Sequence, residues 1–168
     1  MLLIDGNNLL HAARLLKGRS TREDFDRARD ALMRMLQGYV SAKRGIKILV
    51  VFDGGDPVLT PPIRSRPVVH GLPTVFAPAG STADDEILEQ IDRSKDPKGV
   101  RVVSDDRALR DAAAQRGARP VTAREFLEEM HAYIDRREAK SPAGSRKEQG
   151  ISESEAEAWL KEFGLDKS

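Results

Sequence analysis

The sequence predicts an α/β fold of three layers, in which helices cover both faces of a mostly parallel sheet. Short apolar runs alternate along the chain with segments whose apolar residues recur at helical spacing, an alternation typical of parallel sheets. The apolar runs also show little alternation with polar residues, as expected for strands buried on both faces. At 168 residues, the chain is long enough for one such domain and a modest extension.

Five apolar segments are the predicted strands. The run Ile46–Phe52 carries the strongest strand pattern in the chain. The other four, in chain order, are Leu2–Ile4, Val68–Phe76, Val100–Val103 and Arg119–Val121. Gly71 and Pro73 interrupt the third of the five, so this strand is predicted at an edge of the sheet.

Four segments with helical spacing are the predicted helices. They are Arg22–Lys43, a helix from Ser81 or Thr82 to about Ser94, Ala108–Gln115 and Glu125–Arg136. Thr21 or Ser20 suits the N-cap of the first helix, and Thr122 with Glu125 fits a capping box before the last. The segment Asp5–Asn8, which follows the first strand, is predicted to be a turn.

The end of the chain differs in composition from the rest. Residues 1–137 are predicted to form the folded domain, and residues 138–151, rich in Lys, Ser, Pro, Gly and Gln, a flexible linker. Residues 152–168 regain helical spacing around Trp159 and predict a short amphipathic helix. Such a helix could dock on its own domain or on a protein partner.

Composition limits the class of protein. Lys plus Arg (28) nearly equals Asp plus Glu (27), so bulk charge neither supports nor excludes a nucleic-acid partner. The chain has no cysteine, which rules out disulfides and thiolate metal ligands. No apolar run approaches the ~20 residues that span a bilayer, and no signal-peptide pattern is present at the first residues. We therefore expect a cytoplasmic protein without a membrane partner, in which any metal would be Mg²⁺ or Mn²⁺ held by oxygen or by histidine.

Three predicted strands end in an aspartate: Asp5, Asp53 and Asp105. Ligands of open parallel sheets bind beyond the carboxyl ends of the strands, and Asp84 with Asp85 opens a helix on the same side. Clustered carboxylates either shift their pKa or take up a cation. The sequence therefore predicts a divalent-metal site that could activate water for attack on a phosphodiester.

Each aspartate also has a purely structural interpretation. Asp5 and Asp53 precede glycine, as turn-forming aspartates do. Asp84, Asp85 and Asp106 are suited to the N-terminal end of a helix, where the helix dipole favours negative charge. Asp105 is equally suited to capping a helix and to binding a metal. Their joint placement at strand ends is what favours a functional site.

Four short motifs follow one another within about residues 1–137: Asp5-Gly6-Asn7-Asn8-Leu9, Val51-Phe52-Asp53-Gly54, Ser81-Thr82-Ala83-Asp84-Asp85 and Val103-Ser104-Asp105. Together they resemble the YacP-like branch of the NYN domains, which are bacterial relatives of PIN nucleases. The resemblance implies a PIN-like domain with a five-stranded parallel sheet of order 3-2-1-4-5. It also implies a metal-dependent endoribonuclease that acts on RNA, in association with ribosomes or translated mRNA.

The resemblance also implies roles for particular residues. Asp5, Asp53, Asp84 and Asp105 match the acidic positions of the family and are the expected catalytic residues, with Asp5, Asp84 and Asp105 as the expected ligands of Mg²⁺ or Mn²⁺. The expected supporting residues are Asn8, Asp85, Ser104 and Asp106. A glutamate of the middle helix, Glu86 or Glu89, could replace one of the ligands.

Two basic segments flank the predicted site and could bind RNA phosphates. One contains His11, Arg14, Lys17, Arg19 and Arg22, and the other Arg64, Arg66 and His70. A solvated loop face explains either segment equally well. We expect His11 and His70 to contact phosphate rather than to act in acid–base catalysis, because a metal can activate its own water.

Three other functions are alternatives to a nuclease. A catalytically inactive RNA- or ribosome-binding protein would share the fold and would bind RNA equally well in EDTA. A flavodoxin-like nucleotide-binding domain is disfavoured, because no glycine-rich phosphate loop follows the first strand. An aspartyl phosphatase is disfavoured as well, because it would need a second aspartate where Asn7 stands.

Overall fold

The computed structural model describes residues 1–16, 20–43, 45–54, 68–78 and 80–140. In chain order these ranges contain β1 (Leu2–Asp5), α1 (Gly6–Ala12), α2 (Arg22–Ala42), β2 (Ile48–Phe52), β3 (Val68–Val69), β4 (Leu72–Phe76), α3 (Ala83–Asp92), β5 (Arg101–Val103), α4 (Arg107–Gln115), β6 (Arg119–Val121) and α5 (Ala123–Lys140). Residues 141–168 lie outside the described residues, and with them most of the predicted linker and the whole predicted tail helix.

The chain divides into two compact units, Met1–His131 and Ala132–Ser168. The strands and the acidic residues of interest belong to the first unit. The described part of the second unit is the last portion of α5, in which the Nε of Arg136 donates to the carbonyl of Ala132 at 2.9 Å. No helix in the described part of the chain is long and apolar enough to cross a membrane.

The sheet has six strands in the order β3-β4-β2-β1-β5-β6. All neighbouring strands are parallel except β3 and β4, which are antiparallel. The central strand is β1: Leu2 lies opposite Ile48 of β2 on one side and Arg101 of β5 on the other. The predicted α/β class with a mostly parallel sheet is confirmed.

The number of strands differs from the expected five, because the segment predicted as the third strand forms two. β3 and β4 make a hairpin whose turn is His70-Gly71, with φ of 49° and 77°. Positive φ at both central residues is the backbone of the tight turn that matches the twist of antiparallel strands. The five mutually parallel strands, from β4 to β6, keep the order 3-2-1-4-5.

The segment predicted to be a turn after the first strand is instead the helix α1. Its propensity is poor, since it begins Gly-Asn-Asn, but Asp5 caps it by accepting from the backbone N–H of Asn8. A glycine is required at its first position: a Cβ on Gly6 would lie 2.3 Å from the Phe52 ring. The close approach of α1 to the end of β2 therefore depends on Gly6.

The other helices begin at caps that the sequence supplies. Thr21 caps α2 and Thr82 caps α3, each in a capping box with an aspartate at the third helical position. On one face of the sheet, buried strand residues such as Leu3 and Val51 pack with apolar residues of α3 and α4. In another part of the core, Tyr39 of α2 meets Phe126 of α5 edge to face, with ring centroids 5.7 Å apart.

Candidate active site at the carboxyl edge of the sheet

Asp5 ends the central strand and is almost fully buried, with 2% of its surface exposed. Its Oδ1 accepts from the backbone N–H of Asn8 at 3.0 Å, and its Oδ2 accepts from the Ser104 hydroxyl at 3.1 Å and from the Asn8 side-chain amide. Burial raises the pKa of Asp5, and the charge of Asp53 raises it further, against the lowering effect of these hydrogen bonds. Asp5 is thus a firmly oriented carboxylate in a poorly solvated position.

Asp53 follows the neighbouring strand β2 and joins three elements. Its Oδ1 accepts from the backbone N–H of Ala83 at 2.7 Å, at the start of α3. Its Oδ2 accepts from the side-chain amide of Asn7 in α1 at 2.8 Å. Since both oxygens are engaged, Asp53 fixes the N-terminus of α3 against the ends of β1 and β2.

Asp84 is the second residue of α3. It directly follows Ala83, whose N–H donates to Asp53, and it is half-buried. Its pKa is raised to about 6, with desolvation as the largest cause. The charges of four further aspartates add to this effect, namely Asp5, Asp106, Asp53 and Asp85. Carboxylates from four places in the chain therefore act on one another near the C-terminal ends of the parallel strands, which form the carboxyl edge of the sheet.

Asp105 and Asp106 are adjacent in sequence but have different partners. The Oδ1 of Asp105 accepts from the backbone N–H of Ala123 at 2.9 Å, at the start of α5. Asp106 caps α4, accepting from the backbone N–H of Leu109 at 3.0 Å. Of the two, it is Asp106 whose charge contributes to the raised pKa of Asp84.

Ser104 connects these groups and is fully buried. Its hydroxyl donates to Asp5 and accepts from the backbone N–H of Asp106 at 3.1 Å. Its own N–H donates to the carbonyl of Val121, and its carbonyl accepts from Nη1 of Arg110 at 3.1 Å. This side chain therefore sets the position of Asp5 relative to the start of α4.

The acidic residues of α3 beyond Asp84 have structural partners. Asp85 accepts from the backbone N–H of Thr82 at 3.1 Å, and this bond is the main reason why the pKa of Asp85 is lowered. Glu86 is buried, and its Oε1 accepts from the side chain of Gln90 at 2.7 Å. Glu89 forms an ion pair with Arg93.

The residues expected to bind RNA are only partly described. His11 is exposed on α1, and Arg14 is exposed just after it, with a φ of 55°. His70 instead pairs with Asp30 of α2, with Nε2 and Oδ1 2.5 Å apart. Arg22 is exposed at the first position of α2. Four further expected cations lie outside the described residues: Lys17, Arg19, Arg64 and Arg66.

Two arginines near this edge were not predicted from the sequence. Arg29 lies over the rings of Phe52 and Phe76, and Arg110 contacts the Ser104 carbonyl. One feature of the sequence could have indicated Arg110. It follows Asp106 by one helical turn, and helical side chains point back towards the N-terminus of their helix, here towards the end of β5. Nothing in the pattern of α2 distinguished Arg29 from the other arginines of that helix.

The chemistry of the cluster suits a hard divalent cation. All its donors are carboxylate oxygens, and their mutual repulsion at Asp84 is what a bound cation would relieve. Within the described ranges, no group of three or more acidic or histidine side chains is already gathered closely enough to hold a metal ion. Mg²⁺ needs only one or two protein carboxylates and keeps several waters, so the donor set fits it without a closed cage.

Residues 2–163 match the family of the YacP-like NYN domain. The chain belongs to the YacP-like NYN domain family. The NYN domains are PIN-like nucleases, and membership indicates an RNA-related nuclease function for this NYN domain. The family predicted from the four sequence motifs is confirmed.

Two crystal structures of Rae1 (YacP) from Bacillus subtilis resemble this NYN domain, each with a TM-score of 0.68. A tryptophan-to-leucine variant is 26% identical, over 92% of this chain and 87% of that one. The second structure is 24% identical, over 98% and 92% of the two chains, and at that identity supports the fold alone. The search of curated proteins finds no match.

Proposed function

We propose that this chain is a divalent-metal-dependent endoribonuclease that hydrolyses phosphodiester bonds of RNA. The observation that carries the proposal is the convergence of aspartates at the strand ends: Asp5 and the backbone of Asp106 share the Ser104 hydroxyl, and Asp53 holds the start of α3. The raised pKa of Asp84, to about 6, agrees with this arrangement. A fold gathers like charges at strand ends at a cost in stability, and that cost is typical of functional sites. Family membership supplies the reaction class.

Asp5, Asp84 and Asp106 are the residues that would hold Mg²⁺ or Mn²⁺. The bound ion would lower the pKa of a water and offset negative charge on the phosphodiester. Asn8 and Ser104 orient Asp5 through their hydrogen bonds. Oriented ligands of this kind bind metal more tightly than mobile ones.

Asp53 and Asp105 take other roles in this proposal. Asp53 is a positioning residue, because both its oxygens hold the starts of α1 and α3. Asp105, expected from the sequence to be a ligand, holds the start of α5 through Ala123. Asp106 caps α4 in a similar way, but it is the one of the two whose charge acts on Asp84, and we assign the ligand position to it for that reason.

The test is cleavage of a labelled single-stranded RNA and a labelled structured RNA, with Mn²⁺ or Mg²⁺ against EDTA. Asp5→Asn and Asp106→Asn should each reduce cleavage by about 10²-fold or more, since loss of a ligand removes several kcal/mol of charge stabilisation. Asn caps helices as well as Asp, so Asp106→Asn should keep the fold.

Asp105→Asn is the matched control, because an amide oxygen can still accept from Ala123. It should cleave within a few-fold of the unaltered protein. Loss of activity in Asp105→Asn together with retention in Asp106→Asn would return the ligand role to Asp105. Full activity of Asp5→Asn would defeat the nuclease proposal.

The substrate in the cell is proposed to be ribosome-associated mRNA in the cytoplasm. If free RNA is bound but not cut, the assay is repeated with translating ribosomes. Cutting only there would support presentation of the RNA by the ribosome. Binding without cutting in both assays, unchanged by EDTA, would favour the inactive RNA-binding protein instead.

A further inference from the structure

Arg29 is held at the carboxyl edge of the sheet by two aromatic rings. Phe52 and Phe76 end the neighbouring strands β2 and β4, and their rings stack with centroids 5.7 Å apart. The guanidinium carbon of Arg29 lies 5.9 Å from the Phe52 centroid and 5.7 Å from that of Phe76. Since the Phe52 ring also covers Gly6, the arginine stands one ring away from the start of α1.

Arg29 is fixed but still accessible. Its side chain is 32% exposed, and its Nη2 pairs with Asp26 at 2.8 Å. The Asp26 side chain is 58% exposed, and such surface pairs contribute little free energy. A phosphate could therefore replace or join Asp26 on the outer edge of the guanidinium.

Arg110 stands on the other side of the acidic cluster. It lies one turn into α4 and reaches back to the end of β5, where its Nη1 donates to the Ser104 carbonyl. It is half-buried, and its positive charge contributes to the lowered pKa of Glu125. That hydrogen bond uses one of the five N–H donors that a guanidinium carries.

The two arginines bracket Asp5 along the sheet. In the strand order, Arg29 belongs to the β4–β2 side and Arg110 to β5, with β1 between them. At ~4.8 Å per strand, they are separated by about 12 Å along the edge. One phosphate group is too small to reach both guanidinium groups across that distance, so the two would contact different phosphates.

We propose that Arg29 and Arg110 bind phosphates on opposite sides of the cleavage position, so that a single RNA strand crosses the strand ends between β4 and β6. This rests on the proposed function for the meaning of the cleavage position. A polyanion that approaches several carboxylates is repelled, and fixed cations on both flanks offset that repulsion. Arginine is the side chain best suited to this role, because its planar fork matches phosphate oxygens.

The test measures binding rather than cleavage. Affinity for a fluorescein-labelled single-stranded RNA is measured by anisotropy, in EDTA, over a series of salt concentrations. Each lost phosphate contact should reduce the slope of log affinity against log salt by about 0.7, and should weaken binding about 5-fold at 0.1 M salt. Arg29→Gln and Arg110→Gln should each show this change, and the double variant about twice the change in slope.

Matched controls come from the same helices. Arg27 is two positions from Arg29, about 200° around α2, and its side chain is 75% exposed. Arg116 ends α4 at the far side of the sheet, paired with Asp92. Arg27→Gln and Arg116→Gln should leave the slope unchanged. If they reduce it as much as the test variants do, the contacts are not specific and the proposal is overturned.

Lysine variants separate binding from folding. Arg29→Lys and Arg110→Lys keep the charge and should keep most of the slope, even where loss of the guanidinium plane lowers the melting temperature. An unchanged slope in both glutamine variants, or no RNA binding by the unaltered protein, overturns the proposal. Because the assay contains no metal, it can succeed where the nuclease proposal fails, and it can fail where cleavage is observed.

Discussion

Asp84 and Glu129 lie near opposite ends of the parallel strands, and their pKa values are shifted in opposite directions. At the carboxyl edge, the pKa of Asp84 is raised to about 6 by partial burial and by neighbouring aspartates. Near the opposite edge, the pKa of Glu129 is lowered to about 2, mainly by its hydrogen bond to Arg101. The domain therefore contains both a carboxylate whose charge is paired with basic side chains and a group of carboxylates that repel one another.

Glu129 shows what a structural carboxylate looks like in this protein. Its Oε2 accepts from Arg101 at 2.7 Å, and its Oε1 accepts from Lys43 at 3.1 Å and from the Tyr39 hydroxyl at 3.3 Å. These bonds join α5 to β5 and α2. The acids of the carboxyl edge accept hydrogen bonds from amides and hydroxyls instead, which orient a carboxylate without supplying a full positive charge. The difference separates a carboxylate paired with basic side chains from carboxylates that have no such partner among the bonds described above.

The largest expected effect contrasts these two edges by their influence on cleavage. Asp84→Asn should lower metal-dependent RNA cleavage by about 10²-fold or more, because it removes a proposed metal ligand. Glu129→Gln removes an equal charge, but the ion pairs of Glu129 contribute to stability and not to cleavage. This variant should keep roughly 20 to 100% of the unaltered cleavage rate. Initial rates at saturating Mn²⁺ measure both. Similar losses in the two variants would show that the acids act through the fold.

A stability effect of intermediate size is expected at Gly6. In Gly6→Ala, the new methyl would meet the Phe52 ring at 2.3 to 2.7 Å. Overpacking of this kind costs about 1–3 kcal/mol, which corresponds to a fall in melting temperature of about 2–10 °C. Gly38→Ala is the matched control, because no atom lies within 4 Å of its added Cβ. A stable Gly6→Ala protein would show that α1 can move away from β2.

The smallest expected effect is a crossed dependence of stability on pH, measured by thermal melting in EDTA. Asp84 titrates in the folded state at about 6, above its ordinary 3.8, so its ionisation lowers stability as pH rises through that window. Asp84→Asn should raise the melting temperature by a few degrees at neutral pH, and should give no gain near pH 4.

Glu129 should show the reverse sign. Its folded pKa of about 2 lies below the ordinary 4.5, so its stabilisation is complete above pH 4.5 and is lost as pH falls towards 2. Glu129→Gln should therefore lower the melting temperature at neutral pH and have less effect in acid. Parallel rather than crossed curves for the two variants would contradict the contrast between the edges.

Much of the fold follows from the spacing of apolar residues and from helix caps. The parallel strands and α2 to α5 lie where the pattern of the sequence placed them, within a few residues. α1 was missed because Gly6, Asn7 and Asn8 have low helix propensity, and the helix depends on a cap and a ring contact with a distant strand. The β3–β4 hairpin was missed because Gly71 indicates an interrupted strand as readily as a tight turn.

The position of the aspartates near the C-terminal ends of the strands was predictable from the sequence, whereas the partner of each aspartate was not. Consecutive Asp105 and Asp106 are both suited to caps, and the chain turns from strand to helix between Ser104 and Arg107. The two aspartates therefore have different partners, and it is the charge of Asp106 that acts on Asp84. Arg29 was not predictable for a related reason, since its position depends on two rings from strands elsewhere in the chain.

The central place of β1 has a consequence for biosynthesis. β1 leaves the ribosome before the rest of the sheet, and the bond between Asp5 and Ser104 joins groups 99 residues apart in sequence. Pairing across such a separation is slow, and a domain generally folds as a unit once its parts have been made. The nascent chain therefore has no assembled acidic cluster until β5 and the start of α4 have been synthesised, so Asp5 is made long before the residues that complete its surroundings.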